Sequence, residues 1–147
     1  MTCNNDWDEL EEMIVGTADY ATLPIPNRSM MKCQYPKFEE EFMKSVAGFY
    51  PQQIIDEQNE DLEVLSNTLK ELGVKVYRPD TQYALEYTKS PTWEGKNWHY
   101  HCPRDLTLIV GDKIIETPSP IWNRQFETWA YREIFMNMFH EGYSWIK

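Results

Sequence analysis

The clearest periodic pattern in the chain predicts a long amphipathic helix between Pro51 and Gly73. Side chains suited to packing recur at steps of three and four residues, at Ile54, Gln58, Leu62, Leu65, Leu69 and Leu72. This spacing places them along one face of an α-helix. Pro51 suits the first turn, and Gly73 suits the left-handed residue after the last turn. We therefore expect a helix of about five or six turns that packs on this face.

Shorter apolar runs predict strands on either side of that helix. Met13–Gly16 is an apolar run ended by glycine, and Val74–Tyr77 alternates between apolar and polar residues. Leu106–Val110 and Ile114–Thr117 are separated by a turn that contains Gly111. Two such runs around a glycine turn predict a β-hairpin.

Two further helices are expected. Phe38–Phe49 has helical spacing, with Phe38, Phe42, Val46 and Phe49 as its packing residues. A final helix should run from about Arg124 to His140 and stop at Gly142, with packing residues Phe126, Trp129, Ala130, either Ile134 or Phe135, Met138 and Phe139. Strands and helices in this order predict a mixed α/β (α+β) fold.

Two segments lack periodicity. Residues 21–27 contain two prolines and are expected to form a loop. Thr81–His101 is long for a plain connection and rich in aromatic residues, namely Tyr83, Tyr87, Trp93, Trp98 and Tyr100. These rings either anchor the segment on the body of the fold or line a ligand-facing loop, and anchoring is favoured.

The charge and cysteine content of the chain limit the partners and the cellular compartment that we expect for it. The net charge of −10 repels phosphate backbones and anionic lipids, which argues against nucleic acid and membranes as partners. The first 20 residues are acidic and lack the apolar core of a signal peptide. Three cysteines without a C-x-x-C pair fit a reducing cytoplasm rather than a disulfide framework or a zinc ribbon. No cofactor is implied.

The histidines and cysteines offer only weak signals for chemistry. His99, His101 and Cys102 could be three metal ligands, but no fourth ligand is identifiable and no metal site is predicted. Cys102 could form a nucleophilic pair with a histidine, although its position before a proline is more typical of a packed thiol. His140 is expected to interact with a helix C-terminus rather than to act as a base.

Arg104 and Asp105 form a stronger candidate, because Asp105 precedes a buried strand and ligand clefts often form at sheet ends. A carboxylate there could accept two charge-assisted hydrogen bonds from a guanidinium. On the residues alone, the favoured alternative is that Arg104 and Asp105 make structural ion pairs or cap the loop.

Four segments together resemble the glycine (arginine:glycine) amidinotransferase family. They are Trp7–Gly16, Gly73–Asp80, Cys102–Pro118 and Arg124–Arg132, in the family's order and at similar spacing. The resemblance implies part of a five-bladed α/β propeller, here about one ββαβ module plus a flanking helix, in a single domain spanning residues 1–147.

The resemblance also implies site residues and a reaction. In the family a cysteine attacks the guanidinium carbon of arginine, a histidine acts as acid and base, and an amine accepts the amidino group. Asp105 matches the first carboxylate that holds the guanidinium, and Arg104 is its neighbour in the motif. The family's second carboxylate, catalytic histidine and nucleophilic cysteine have no counterpart before Lys147, so no catalytic residue is assigned.

These expectations favour a truncated amidinotransferase-like protein that acts as a binding or regulatory module. One alternative is an amidinotransferase completed by another chain, and another is a binder of arginine or a related guanidino compound. Surfaces that other propeller blades would cover are expected to bind a second copy of the chain or another protein, unless the loops fold over them.

Overall fold

A computed structural model of the chain describes residues 3–5, 7–82, 84 and 87–147. The strands are β1 (Glu12–Ile14), β2 (Thr22–Leu23), β3 (Gly48–Phe49), β4 (Lys75–Tyr77), β5 (Tyr87–Lys89), β6 (Glu94–Lys96), β7 (Thr107–Val110), β8 (Lys113–Glu116) and β9 (Ser144–Ile146). The α-helices are α1 (Arg28–Cys33), α2 (Glu40–Ser45), α3 (Gln52–Glu71) and α4 (Arg132–His140). Three 3-10 helices span Pro103–Asp105, Trp122–Arg124 and Glu127–Tyr131. None of the helices in these described ranges is long and apolar enough to cross a bilayer.

Helix α3 is confirmed at its expected position, but its predicted packing face is only partly correct. Gln58, Leu62 and Leu69 are half-buried, as expected. Ile54, Leu65 and Leu72 are instead 49%, 42% and 75% exposed, and the fully buried residues are Ile55 and Ser66. Asn59, one turn after Ile55, ties the helix to the segment that follows β1. The Asn59 side chain accepts the backbone N–H of Ala18 at 2.8 Å. The side of α3 that faces the rest of the chain therefore includes a polar contact that the apolar pattern did not predict.

Strands β1 and β4 lie side by side and run parallel, with Met13 opposite Val76. Parallel neighbours need a crossover connection rather than a hairpin, and α3 lies within the connection between them. Both strands were predicted from their apolar runs. The pairing joins two segments that are more than sixty positions apart in the sequence.

The C-terminal part forms a ββαβ unit. Strands β7 and β8 make the predicted antiparallel hairpin, and β9 returns to pair with β8 in parallel. Helix α4 connects β8 to β9 and buries Ile134, Phe135 and Met138 in the same cluster as Ile114. Strand β9 was not predicted.

The expected final helix is only partly correct. Residues before Arg132 form two 3-10 helices, and the α-helix itself spans Arg132–His140. Ala130 is buried as expected, and Phe126 is half-buried. Trp129, on the 3-10 helix before α4, and Phe139, on α4 itself, are instead 37% and 51% exposed.

The helix expected over Phe38–Phe49 is shorter, and its predicted packing face is wrong. Helix α2 ends at Ser45, and β3 follows as an antiparallel partner of β2. The four expected packing residues Phe38, Phe42, Val46 and Phe49 are all about half exposed. Met43 is buried instead, in a second core cluster with Met30, Trp98 and Ile121.

The segment Thr81–His101 carries secondary structure of its own. Strands β5 and β6 form an antiparallel hairpin within it. Trp98 and Tyr100 are buried, and Trp93 stacks on Trp122 with ring centroids 6.3 Å apart. Tyr87 is 63% exposed. The sequence also placed Tyr83 in this segment, and Tyr83 lies outside the described residues.

The proline-containing loop over residues 21–27 was a correct expectation only in its second half. Thr22 and Leu23 form β2, and Asn27 caps helix α1, which was not predicted. The Asn27 side chain accepts the backbone N–H groups of Ser29 and Met30. Such a cap satisfies two of the four N–H groups left open at a helix start.

Candidate functional site

Asp105 and Arg104 lie on the first 3-10 helix, directly before strand β7. Pro103 starts this single turn, and the buried Leu106 anchors the chain after it. The Asp105 side chain is 49% exposed. Arg104 is exposed and forms no ion pair with any residue that the structure describes. Asp105 is therefore half-exposed two residues before the start of β7, and its role as a ligand contact stays a prediction.

The nearest charged partner of Asp105 is Arg124, at the end of the second 3-10 helix. Its Nη1 atom donates to Asp105 Oδ2 at 2.9 Å. Its Nε atom donates to Glu127 Oε2, also at 2.9 Å. The Arg124 side chain is only 13% exposed. One buried guanidinium thus bridges two carboxylates that belong to different 3-10 helices.

Glu127 is the most deeply buried ionisable residue of this cluster, at 2% exposure. Its Oε1 atom accepts the backbone N–H of His99 at 3.4 Å. Burial raises the pKa of Glu127 to about 8, against the lowering effect of Arg124. Burial disfavours a charged carboxylate, and the hydrogen bonds from Arg124 and His99 reduce that cost.

Two buried nitrogens near this cluster lack a hydrogen-bond partner among the described residues. They are Nη2 of Arg124 and Nδ1 of His99. A buried donor without an acceptor costs about 1–3 kcal/mol. The other two nitrogens of the Arg124 guanidinium, Nη1 and Nε, hold it in place through their contacts with Asp105 and Glu127.

His99 and His101 face each other, with ring centroids 4.0 Å apart. They line a cavity of about 170 Å³ together with Tyr50, Ile54, Ile55, Gln58, Ala18 and Ala21. Burial lowers the pKa of His99 to about 3, and it also lowers the pKa of His101. Both rings are consequently uncharged near neutral pH.

Within the described ranges, no group of three or more His, Cys, Asp or Glu side chains is arranged to hold a metal ion.

The structure does not favour Cys102 as a nucleophile. Cys3, Cys33 and Cys102 are all free thiols. Burial raises the pKa of Cys102, which disfavours the nucleophilic thiolate. No hydrogen bond joins Cys102 to a histidine in the part of the chain that the structure describes. His140 lies in the last turn of α4 and is exposed.

Sequence reasoning missed Arg124 and Glu127 as members of this cluster. The one available signal is their spacing of three residues, which permits a contact within a helical turn. On a helix surface such a pair is ordinarily exposed and weak. Only the fold shows that both side chains are buried and that Arg124 reaches Asp105, nineteen residues away in the sequence.

Comparisons with known proteins connect the chain to amidinotransferases. It is 38% identical over 146 residues to inosamine-phosphate amidinotransferase 1 of Streptomyces griseus, covering 99% of this chain and 42% of that protein. It is 36% identical over 141 residues to the L-arginine:L-lysine amidinotransferase of Pseudomonas savastanoi pv. phaseolicola, covering 95% of this chain and 39% of that protein. No protein-family model matches the chain.

Solved structures of amidinotransferases are also similar to the chain. The inosamine-phosphate amidinotransferase of Streptomyces griseus superposes with a TM-score of 0.93 at 39% identity, over 99% of this chain and 42% of that one. An amidinotransferase from Microseira wollei gives a TM-score of 0.80 at 31% identity, over 99% of this chain and 40% of that one. The resemblance to the N-terminal portion of amidinotransferases and the mixed α/β fold are confirmed. The chain spans about 42% of the length of the first relatives it matches.

Proposed function

We propose that this chain is the guanidinium-binding part of an amidinotransferase-type structure and does not by itself transfer an amidino group. The observation that carries the proposal is the half-exposed carboxylate of Asp105, whose Oδ1 takes no hydrogen bond from the described residues. Its Oδ2 accepts an N–H group of Arg124 at 2.9 Å, which is also the structural ion pair that the residues alone favoured. One relative is named for L-arginine and L-lysine, and arginine carries the same guanidinium group. Asp105 is the proposed ligand contact, and Arg104 is proposed as an outer contact for the rest of the ligand.

The chemistry of transfer needs groups that the described residues do not bring together. A thiol must be deprotonated and must lie within hydrogen-bond reach of a base. The raised pKa of Cys102 disfavours its thiolate, and the lowered pKa values of His99 and His101 make both rings weak bases. Binding without transfer is therefore the function that this geometry supports best.

We further propose that the chain is a single domain over residues 1–147 and forms part of an α/β propeller. The order β7, β8, α4 and β9 supports this proposal, because it is the ββαβ order of one propeller module. A propeller blade has neighbours on both sides. Its edges would then be covered in the complete structure.

Exposed apolar side chains support a role in binding protein. Strand β7 is an edge of its sheet, and its Leu108 and Val110 are 51% and 49% exposed. Leu65 and Leu72 extend along α3, at 42% and 75% exposure. Unpaired strand edges and apolar patches favour association. The proposed partner is a second copy of the chain or another protein, in the cytoplasm.

Completion of the enzyme by another chain is the second candidate. It is favoured by the 42% coverage of the relatives, since the rest of an amidinotransferase could supply a cysteine and a histidine. Mixing the chain with the separately expressed remainder of the Streptomyces griseus relative should then restore transfer. A mixture without product would count against this candidate.

The main proposal is tested with arginine labelled at its guanidino carbon. The chain is incubated with the label and with lysine as amine acceptor, and binding and product are followed by NMR spectroscopy and mass spectrometry. We expect saturable binding without labelled product, and weaker binding by Asp105→Asn. Labelled lysine product from the chain alone would contradict the proposal, as would equal binding by the two proteins.

A further inference from the structure

The guanidinium of Arg124 joins the half-exposed Asp105 to the buried Glu127 through two different nitrogens. We propose that Arg124 is a positioning residue, which orients the Asp105 carboxylate for a guanidino ligand while Glu127 anchors Arg124. This inference rests on the proposed function, because it concerns the carboxylate that would hold the ligand. It assigns Arg124 no contact with the ligand.

Apart from Arg124, no described residue donates a hydrogen bond to the Asp105 side chain. The backbone around it is also weakly held, because Asp105 ends a single 3-10 turn and its carbonyl accepts a long hydrogen bond of 3.4 Å from the hydroxyl of Thr117. A half-exposed carboxylate that is free to rotate must be ordered when a ligand binds, which weakens affinity. Arg124 holds Oδ2 in place before binding. Oδ1 takes no hydrogen bond from the described residues and remains available to a ligand's N–H group.

Arg124 can serve this role because the buried Glu127 holds its guanidinium on the side away from Asp105. Its side chain is 13% exposed, and the Glu127 side chain that holds Nε is 3% exposed. Glu127 is held in turn by the backbone N–H of His99. The chain of contacts runs from the interior to the exposed face of Asp105. The half-exposed Asp105 is the end of this chain of contacts at which the ligand is proposed to bind.

Lysine cannot reproduce this arrangement. Its charge resides on one nitrogen, whereas the planar guanidinium presents donors on separate nitrogens in a fixed fork. A single ammonium nitrogen at position 124 cannot occupy the positions of both Nε and Nη1, which contact Glu127 and Asp105 separately. Arg124→Lys therefore keeps the positive charge and removes the contact through two nitrogens.

The test is a titration of L-arginine into four variants of the full chain, with circular dichroism to verify folding. We expect Arg124→Lys to weaken binding about 3- to 10-fold, which is the order of effect that ordering one side chain produces. Arg78→Lys is the matched control, because Arg78 also pairs with a carboxylate, on Glu63 at 3.5 Å. It should bind as the wild type does.

A double-mutant comparison separates positioning from a general structural effect. Asp105→Glu displaces the carboxylate, so adding Arg124→Lys to it should cause no further loss of affinity. An independent, additive loss would overturn the inference, as would unchanged binding by Arg124→Lys alone. In both cases binding by the wild type would leave the proposed function standing. Absence of arginine binding by the wild type would overturn the proposed function and this inference together.

If Arg124→Lys does not fold, the Arg124 side chain of the wild-type chain can be observed directly instead. The Nε–H resonance of Arg124 in a ¹⁵N spectrum of the wild-type chain should shift when L-arginine is added. The same resonance should not respond in Asp105→Asn. A resonance that ignores arginine in the wild type, at concentrations that saturate binding, would show that Arg124 is not coupled to the ligand.

Discussion

Helices α4 and α3 differ in what covers their apolar side chains. Helix α4 lies between two strands of its own ββαβ unit and buries Phe135 completely. Helix α3 buries Ile55, while its neighbour Ile54 is 49% exposed. Helix α3 contacts β4 and the segment after β1, so one side of it has no cover among the described residues. The comparison teaches that an apolar pattern predicts a helix but does not show which of its apolar side chains the fold covers.

The largest effect is expected inside α4. Phe135→Ala should lower the free energy of unfolding by about 3–5 kcal/mol, because it opens a cavity in a fully packed core. Phe139→Ala removes the same atoms from a side chain that is 51% exposed, and should cost less than about 1 kcal/mol. Chemical denaturation of both variants measures the difference. Equal costs would break the contrast between buried and exposed positions within this helix.

The next effect separates the two faces of α3. Ile55→Ala should cost about 2–5 kcal/mol, since Ile55 is 6% exposed. Ile54→Ala makes the identical change one position earlier and should cost less than about 1 kcal/mol in the isolated chain. If a partner covers Ile54, its substitution will also weaken self-association, as measured by light scattering. A large cost in a proven monomer would show that Ile54 is packed within the chain.

A change of pH should alter the free energy of unfolding less than these substitutions do, and Glu127 should be the residue responsible for it. The pKa of Glu127 is about 8 when folded, above its ordinary value, so the folded chain retains a proton that the unfolded chain has lost. Stability therefore decreases as pH rises toward 8, by at most about 1.4 kcal/mol per pH unit. His99, with a folded pKa of about 3, has its opposite effect only below about pH 6.5.

Denaturation at pH 7 and pH 8 checks this prediction, with Glu127→Gln as the comparison. The wild type should lose stability between these two values, and the variant should not. Glu133→Gln is a matched control, because Glu133 is exposed on α4. If the wild type became more stable between pH 7 and pH 8, the assigned direction of the Glu127 shift would be wrong.

The two regions also differ in how much of them the sequence could predict. The β7–β8 hairpin was predicted because Gly111 lies between two apolar runs, and Gly111 does adopt a positive φ of 58°. The boundaries of α3 followed from Pro51 and Gly73, but the side that it turns toward the chain includes the hydrogen bond from Ala18 to Asn59. Such a contact joins residues far apart in the sequence, and periodicity carries no information about it.

The candidate site shows the same division. Asp105 was predicted from its motif and from its position before a strand. Its partner Arg124 and the buried Glu127 were not, because polar residues are ordinarily assigned to the surface. The hairpin of β5 and β6 was also missed, although Ser90-Pro91 between its strands is a recognisable turn signal. Each of its strands is only three residues long, which is too short for a clear alternating pattern.

The most direct test of a guanidinium-binding role is the affinity of the chain for L-arginine with and without the Asp105 carboxylate. Asp112→Asn is the matched control, because Asp112 is an exposed aspartate paired with Lys113. The proposal predicts saturable binding by the wild type and by Asp112→Asn, with Asp105→Asn weaker by about 10-fold or more, as expected for a charge-assisted hydrogen bond. Equal affinity of Asp105→Asn and the wild type would contradict the assignment of Asp105.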